Sequence, residues 1–307
     1  PSIKIGTNHK ISGLKNSNMK LKLSVIGCGR LGKTLAFLLA KTGLVCVQEV
    51  VNLNRASAEE AVAFIGQGRT CASIKQLKSA DVYLIATPDD SIEPVAQQLA
   101  KQSLLSKANV VFHCSGLLSS ECLNSLAQLG CYTASIHPLF SFSKPMVDVE
   151  VFKGTYCAFE GSKLALEKLL PLFRAIDSQL FLIEKNDKAL YHAASVFASN
   201  YLVTLASMAE VCYKKAGLSS KLAKILTRAL MAQTFSKIQC LDESSAALTG
   251  PLQRGDKNTL NKHLQALKPF SDLACVYKNL ARATLPLTQH DERLKETLAP
   301  LFTGEAI

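Results

Sequence analysis

The sequence predicts an α/β protein: an N-terminal Rossmann domain with a doubly wound parallel sheet, then a mainly α-helical C-terminal domain. Three observations predict it. Short apolar runs alternate with helical spacings up to about residue 150, the pattern of βαβ units. A glycine-rich turn, Gly27-Cys28-Gly29-Arg30-Leu31-Gly32, joins the first run to the first helix. Beyond Lys185 the strand signal ends and helical periodicity takes over. The expected organisation is a disordered leader over 1–18, a dinucleotide-binding domain over 19–184, a helical substrate and dimerisation domain over 185–290, and a tail over 291–307.

The elements follow in order. Strands are expected at 21–26, 49–53, 70–72, 82–86, 110–114 and 131–136, with two more at 155–159 and 180–183. Helices are expected at 31–41, 57–65 with Ser57 as N-cap, 92–101, 118–129 and 163–175. The second part reads as helices over 187–216, 219–238, 257–268 and 271–285. The apolar stretch from Ala189 to Val211 is interrupted by His192, Ser195, Ser199, Asn200 and Glu210. It is expected to be a buried helix and not a membrane span.

Charge and composition narrow the function. The chain has 35 basic and 24 acidic residues, a net +11. Residues 1–22 carry Lys4, Lys10, Lys15, Lys20 and Lys22 and no acid, so the leader accounts for nearly half of that excess. Met19 reads as a natural start. The modest remainder suits phosphorylated ligands better than nucleic acid, and no Trp is present to stack on bases. The ten cysteines include no C-x-x-C pair, which argues against a zinc site; no metal is expected. Most sit in apolar runs, as in Leu44-Val45-Cys46-Val47, and read as small buried hydrophobes in a reducing, cytoplasmic setting.

The turn Gly27-x-Gly29-x-x-Gly32 carries the most specific chemistry. Its first glycine permits the tight turn, the second lets a pyrophosphate approach the backbone, and the third lets the helix pack on the strand. Free N–H groups at the helix start then meet the anion. The second strand ends in Asn54-Arg55-Ala56-Ser57, without the carboxylate that an NAD ribose wants. Arg55 and Ser57 fit a 2′-phosphate, so NADP is expected over NAD, with Arg30 covering the pyrophosphate. Thr87 and Pro88, then His113, Ser115 and Gly116, then His137, follow strand ends and are expected to line the crevice. His113 and His137 read equally well as satisfied structural residues.

In the helical part, Lys188, His192 and Asn200 share one face, with Ser195 and Ser199 beside them. Such a stripe either bonds to neighbouring helices or faces substrate. Arg254, in the rigid segment Thr249 to Asp256, is a candidate for a substrate carboxylate or phosphate, and Asp256 for capping the next helix.

Together the Gly27–Gly32 turn, His113-Cys114-Ser115-Gly116, His137-Pro138-Leu139, Tyr191-His192-Ala193-Ala194 with Ser199-Asn200-Tyr201, and Thr249-Gly250-Pro251 with Arg254-Gly255-Asp256 resemble one family. It is the Rossmann-like proteins bearing the C-terminal domain of unknown function 2520. The resemblance covers roughly residues 20–288. That family is similar to pyrroline-5-carboxylate reductase, ketopantoate reductase, 3-hydroxyacid and 6-phosphogluconate dehydrogenases and F420-dependent NADP reductases. The resemblance implies hydride transfer with a nicotinamide and homodimers built through the helical domain, and no particular substrate. Hydroxyacid dehydrogenases place Lys and Asn one turn apart; here Lys188 is followed at that spacing by His192, and Asn200 lies two turns further.

The expected function is therefore an NADP-dependent oxidoreductase acting on a small carbonyl or imine of anionic class, with neither nucleic acid nor membrane as partner. His192 is the first candidate proton donor, since an imidazole titrates near neutral pH. Lys188 and His137 are alternatives, Asn200 would orient the carbonyl or cofactor amide, and Ser199 and Arg254 would hold substrate. A non-catalytic NADP-binding sensor and an F420 partner are the competing readings.

Overall fold

The computed structural model describes residues 20–303, so the leader expected over 1–18 lies outside them. The chain divides into two compact units at Ser199/Asn200, later than the junction expected at 184/185.

The first unit is built on one sheet. Its strands are β1 (Leu21–Ile26), β2 (Val45–Val51), β3 (Arg69–Cys71), β4 (Val82–Ile85), β5 (Val110–His113), β6 (Tyr132–Pro138), β7 (Tyr156–Gly161) and β8 (Gln179–Leu182). Their order is β3-β2-β1-β4-β5-β6-β7-β8. The neighbours pair parallel except β6 and β7, which run antiparallel. The parallel pattern expected up to about residue 150 thus spans β1 to β6, and β7 turns against it. An antiparallel neighbour does not need its connection to return to the starting edge.

The helices of this unit are α1 (Arg30–Lys41), α2 (Arg55–Ile65), α3 (Asp89–Ala100), α4 (Asn124–Ala127), α5 (Pro145–Val151), α6 (Lys163–Ala175) and α7 (Lys188–Ala198). The central strands β4 and β5 are buried throughout, as strands covered on both faces must be. Alternate side chains go to opposite layers. Val25, Leu84 and Phe112 meet Leu35, Leu39 and Phe173 on one face. Tyr83, Ile85 and Val111 meet Ile92 and Leu99 of α3 on the other. Phe112 and Phe173 contact edge to face, 6.0 Å between ring centres.

Several local expectations are corrected. The strand β2 begins at Val45, because Val45 and Val47 are buried while Cys46 between them points outward. The N-cap of α2 is Asn54, whose side chain accepts the Ala56 N–H at 2.8 Å; Ser57 is already inside the helix. Residues 118–129 form a 3₁₀ turn, Ser120–Leu123, before the short α4. The Ser120 amide and hydroxyl both bind buried Glu160 of β7, which draws the turn onto the sheet. The helix expected over 187–216 breaks at Ser199, whose ψ of −68° and φ of −127° leave the helical region.

The second unit holds α8 (Asn200–Lys215), α9 (Ser220–Cys240), α10 (Lys257–Leu267), α11 (Ser271–Thr284) and α12 (Glu292–Leu298). Its core joins Leu252, Leu260, Ala281 and Leu285 to Leu298 and Phe302. Residues read as a tail thus complete a core. Asp256 caps α10 through the Thr259 N–H, as its position suggested.

The stretch read as a buried helix is largely exposed: Leu190 is 78%, Phe197 70% and Val203 71% accessible. Along α9, Ile225, Leu230 and Phe235 are exposed too. Cys212, Cys240 and Cys275 share this exposure, against the expected burial of most cysteines. Five others, at 28, 71, 114, 131 and 157, are buried. Among the described residues no helix is long and apolar enough to cross a membrane.

Removing the Phe173 ring should leave a cavity between α6 and β5. Phe173→Ala is expected to cost about 3–5 kcal/mol in urea denaturation. A loss below about 1 kcal/mol, the size expected of a surface change, would contradict the packing described.

Candidate dinucleotide and substrate site

The chain leaves β1 through a turn in which glycine is required. Gly27 has φ +85°, and a Cβ there would stand 2.6 Å from Thr87 Cγ2 and 2.7 Å from the Thr87 nitrogen. A Cβ on Gly32 would stand 2.9 Å from the Gly27 oxygen. Around a Cβ on Gly29, by contrast, nothing lies within 4 Å. Two glycines therefore make the corner compact, and the third leaves its main chain open. The helix α1 starts at Arg30 with neither a side-chain cap nor an acidic residue in its first turn. The Arg30 and Leu31 amides thus have no intrahelical acceptor and sit at the positive end of the helix dipole.

This corner forms the floor of a cleft of about 1140 Å³ at the carboxyl ends of β1, β2 and β4. Drug-sized pockets usually hold roughly 300–1,000 Å³, so the cleft has room for an extended ligand. Gly27, Cys28, Gly29, Arg30, Asn54, Ser57, Thr87 and Pro88 all line it. The Thr87 hydroxyl there is buried without a protein partner. The Cys28 thiol is pushed up to about 12 by burial, so it remains protonated and unreactive.

Other residues complete the cleft. Asn52 accepts the Cys28 N–H at 2.6 Å and donates to Ser57 Oγ at 3.1 Å, so it ties the corner to α2. The Cys28 amide is thereby used by the protein itself, as are those of Gly27, which donates to the Val51 carbonyl at 2.8 Å, and Gly29, which donates to the Gly27 carbonyl at 3.0 Å. Lys33 and Glu60 pair at 2.6 Å on the wall. Residues 143–147, entering α5, form another side. The sequence reading missed these: Asn52 sits two residues before the expected strand-tip motif, and the 143–147 segment carries no periodic signal. Arg55 departs from expectation. Its side chain is 84% exposed, pairs with Glu59 at 2.8 Å and does not line the cleft. The cause is local: Glu59 lies one helical turn on, within reach of the guanidinium.

A second cluster gathers at the ends of β5 and β6. His113 is fully buried, and its role is structural, not cofactor-facing. Its Nδ1 accepts the Ser115 N–H at 3.1 Å, and its Nε2 lies 3.2 Å from the Ser119 carbonyl, the geometry of a neutral ring protonated at Nε2. Burial, then the Lys188 charge, pull it down to about 4. Ser115 also turns inward: its hydroxyl donates to Asp89 at 2.8 Å and accepts the Leu117 and Leu118 amides. Neither His113, Ser115 nor Gly116 lines the cleft of the glycine corner.

Lys188, the first residue of α7, is 1% exposed. Its ammonium donates to the Ser115 carbonyl at 3.0 Å and to Ser135 Oγ at 2.8 Å, so it ties α7 to the ends of β5 and β6. Burial holds its pKa below the usual lysine range, and the Glu160 charge opposes that. His137 Nδ1 lies 2.9 Å from the Tyr191 hydroxyl. Burial, Lys188 and His192 together lower His137 to about 4. The His137 and His192 rings stand 5.9 Å apart, nearly perpendicular. His192 Nδ1 is buried without a protein partner. Tyr191 was not singled out as a site residue, because nothing local in sequence signals a partner 54 positions away. Ser199 ends α7 and is exposed, Asn200 opens the second unit, and Arg254 is an exposed residue of that unit.

These features define the class as a Rossmann-like α/β protein with a helical C-terminal part. Residues 7–138 match the model of a Rossmann-like domain, and residues 155–284 match the domain of unknown function DUF2520. The chain is thus a Rossmann-like protein carrying a DUF2520 domain. Among solved structures it is similar to a presumptive NADP oxidoreductase of Bacteroides fragilis, at 21% identity over 88% of this chain and 100% of that one, with a TM-score of 0.73. A Thermotoga maritima protein is 25% identical over 87% and 98% of the two chains, with a TM-score of 0.67. Plasmodium falciparum pyrroline carboxylate reductase, solved with NADP bound, is 15% identical over 92% and 98%, with a TM-score of 0.57. At these identities the likeness speaks to fold. A comparison with curated proteins finds no match.

The burial of His113 sets a pH dependence. Its folded value of about 4 lies below the ordinary 6.5, so the unfolded chain takes up the proton first as pH falls. Stability is then full above about 6.5 and lost on acidification towards 4, up to about 3 kcal/mol from this group. His113→Asn should lower the slope of unfolding free energy against pH by about one proton between pH 4 and 6.5. An unchanged slope would count against the assignment.

Proposed function

We propose that the chain is an NADP-dependent oxidoreductase acting on a small, anionic carbonyl or imine substrate, and that it works as a homodimer through its helical domain. The observation that carries the cofactor reading is the open Gly29 main chain at the uncapped start of α1, on the floor of the cleft. The residues fit a dinucleotide. The amides after Gly29 would hold the diphosphate, Arg30 would cover it, and Thr87, with its unpartnered hydroxyl, would meet the far half. Leu53, fully exposed on the lip, offers apolar surface to an adenine ring.

The case for NADP over NAD rests on the tip of β2. Asn52, Asn54 and Ser57 stand there without a carboxylate of that strand end. Arg55 reaches a 2′-phosphate by leaving Glu59. An exposed i,i+4 ion pair contributes only about 0.3–0.5 kcal/mol, so a charge-assisted bond to phosphate outweighs it. When bound, the nicotinamide supplies or accepts hydride. His192 is assigned proton transfer, because its buried Nδ1 has no protein partner. His137, held neutral, is assigned hydrogen bonding to the reacting group. Lys188 is committed to Ser115 and Ser135, so its part is to fix the cluster and set its field, not to give up a proton.

Calorimetry with NADPH and NADH tests this reading. NADPH should bind more tightly, and Arg55→Ala should weaken NADPH roughly tenfold, about 1.4 kcal/mol, while leaving NADH unchanged. Equal loss for both nucleotides, or binding of neither, would overturn the assignment.

The dimer reading rests on the exposed apolar side chains of α8 and α9, among them Val203, Leu230 and Phe235. Patches of this kind mark protein interfaces. Sedimentation should find a dimer at micromolar concentration, and Val203→Glu should weaken it at least roughly tenfold without unfolding the chain. A wild-type monomer would refute the dimer.

A further inference from the structure

Two imidazole nitrogens from different elements converge on Gly116. A Cβ built on that glycine would stand 2.5 Å from Nδ1 of His192 and 2.9 Å from both Nε2 and Cε1 of His137. Any other residue here would fill the point at which the two rings aim. His192 Nδ1 is buried and unpartnered. Leaving such a group unpaired is unfavourable, so its place calls for a bonding partner.

The neighbour of His137 bears on its tautomer. Its Nδ1 is engaged by the Tyr191 hydroxyl at 2.9 Å. Burial raises the Tyr191 pKa above the ordinary phenol range, so the hydroxyl keeps its proton. His137 is itself neutral at physiological pH. A phenol that donates into Nδ1 leaves the ring proton of His137 on Nε2, the nitrogen aimed at Gly116. The pair then presents one fixed donor, His137 Nε2–H, and one nitrogen of His192 able to accept or donate.

We propose that Gly116, His137 and His192 form a seat for a single ligand oxygen, hydroxyl or carbonyl, and that Tyr191 is a positioning residue that holds His137 as its donor. An oxygen fits this pair because it accepts from one nitrogen and exchanges a proton with the other. A metal ion fits it poorly, because among the described residues no group of three His, Cys, Asp or Glu gathers to hold one. The seat lies at the carboxyl ends of β5 and β6, the edge at which doubly wound sheets take their ligands. It deepens the function proposed above and rests on it only for the identity of the oxygen, which there is the substrate's reacting group.

The test reads the rings directly in the full chain. Long-range ¹H–¹⁵N correlations at neutral pH should show His137 as a single Nε2–H tautomer in the wild type. Tyr191→Phe should lose that single tautomer while its fold, read from the amide spectrum, persists. Crystals of the wild type without added nucleotide should show an oxygen within about 2.6–3.2 Å of both nitrogens. Gly116→Ala should expel it. A wild-type Nδ1–H tautomer, an unaltered His137 in Tyr191→Phe, or a metal ion or no atom at that point would overturn the proposal. Each of these readouts is independent of pyridine-nucleotide binding, so a failed cofactor assignment and a failed seat are told apart.

Discussion

The turn between β1 and α1 is the constraint on which the rest depends. At Gly27 the chain passes against Thr87, and at Gly32 the helix passes against Gly27, with no room for a side chain at either point. These two contacts set α1 directly on the sheet and leave its first amides facing outward over the cleft. A helix start is a weak anion site in water, worth about 0.3–1 kcal/mol per charge at an exposed end. Here it sits in the wall of a concave cleft, where the first helical amides lack an intrahelical acceptor. Asn52 stiffens the arrangement from the side by holding both Cys28 and Ser57.

The second cluster works by the opposite principle. At the glycine corner polar backbone is left open; around Lys188 nearly every polar group is paired. Its ammonium, the Ser115 carbonyl, Ser135, Asp89 and the amides of residues 117 and 118 form a closed set of hydrogen bonds. A buried ammonium is costly unless so satisfied, and its charge then acts on whatever remains nearby. It helps to hold His113 and His137 neutral. The buried Nδ1 of His192 stands out against this background because it has no bond. One cluster thereby combines a closed hydrogen-bonded frame with one unpartnered ring nitrogen.

Much of the fold was legible in the sequence because its signals are local. Leu21–Ile26 and Lys163–Ala175 sit where apolar periodicity places them, and the Gly27–Gly32 turn lies between strand and helix as its spacing requires. What escaped depends on distant partners. The 3₁₀ turn at Ser120–Leu123 forms because Glu160 captures it. The break at Ser199 and the exposure of Leu190 and Phe197 could not be read from an apolar run, which looks the same whether its face meets this chain or another. At the site, His137 and His192 were recognisable as candidates. Their meeting over Gly116, and the part of Tyr191, depend on bringing three separate segments together. The pairing of Arg55 with Glu59, one helical turn on, is a contact that the residue types at a strand tip do not show.

The central claim is that bare amides at the start of α1 grip a diphosphate. Backbone ¹H–¹⁵N resonances during titration with NADPH test it most directly. The account predicts the largest shifts at Gly29, Arg30 and Leu31, saturating with one nucleotide per chain. Shifts confined to other regions, or none at millimolar NADPH or NADH, would contradict it.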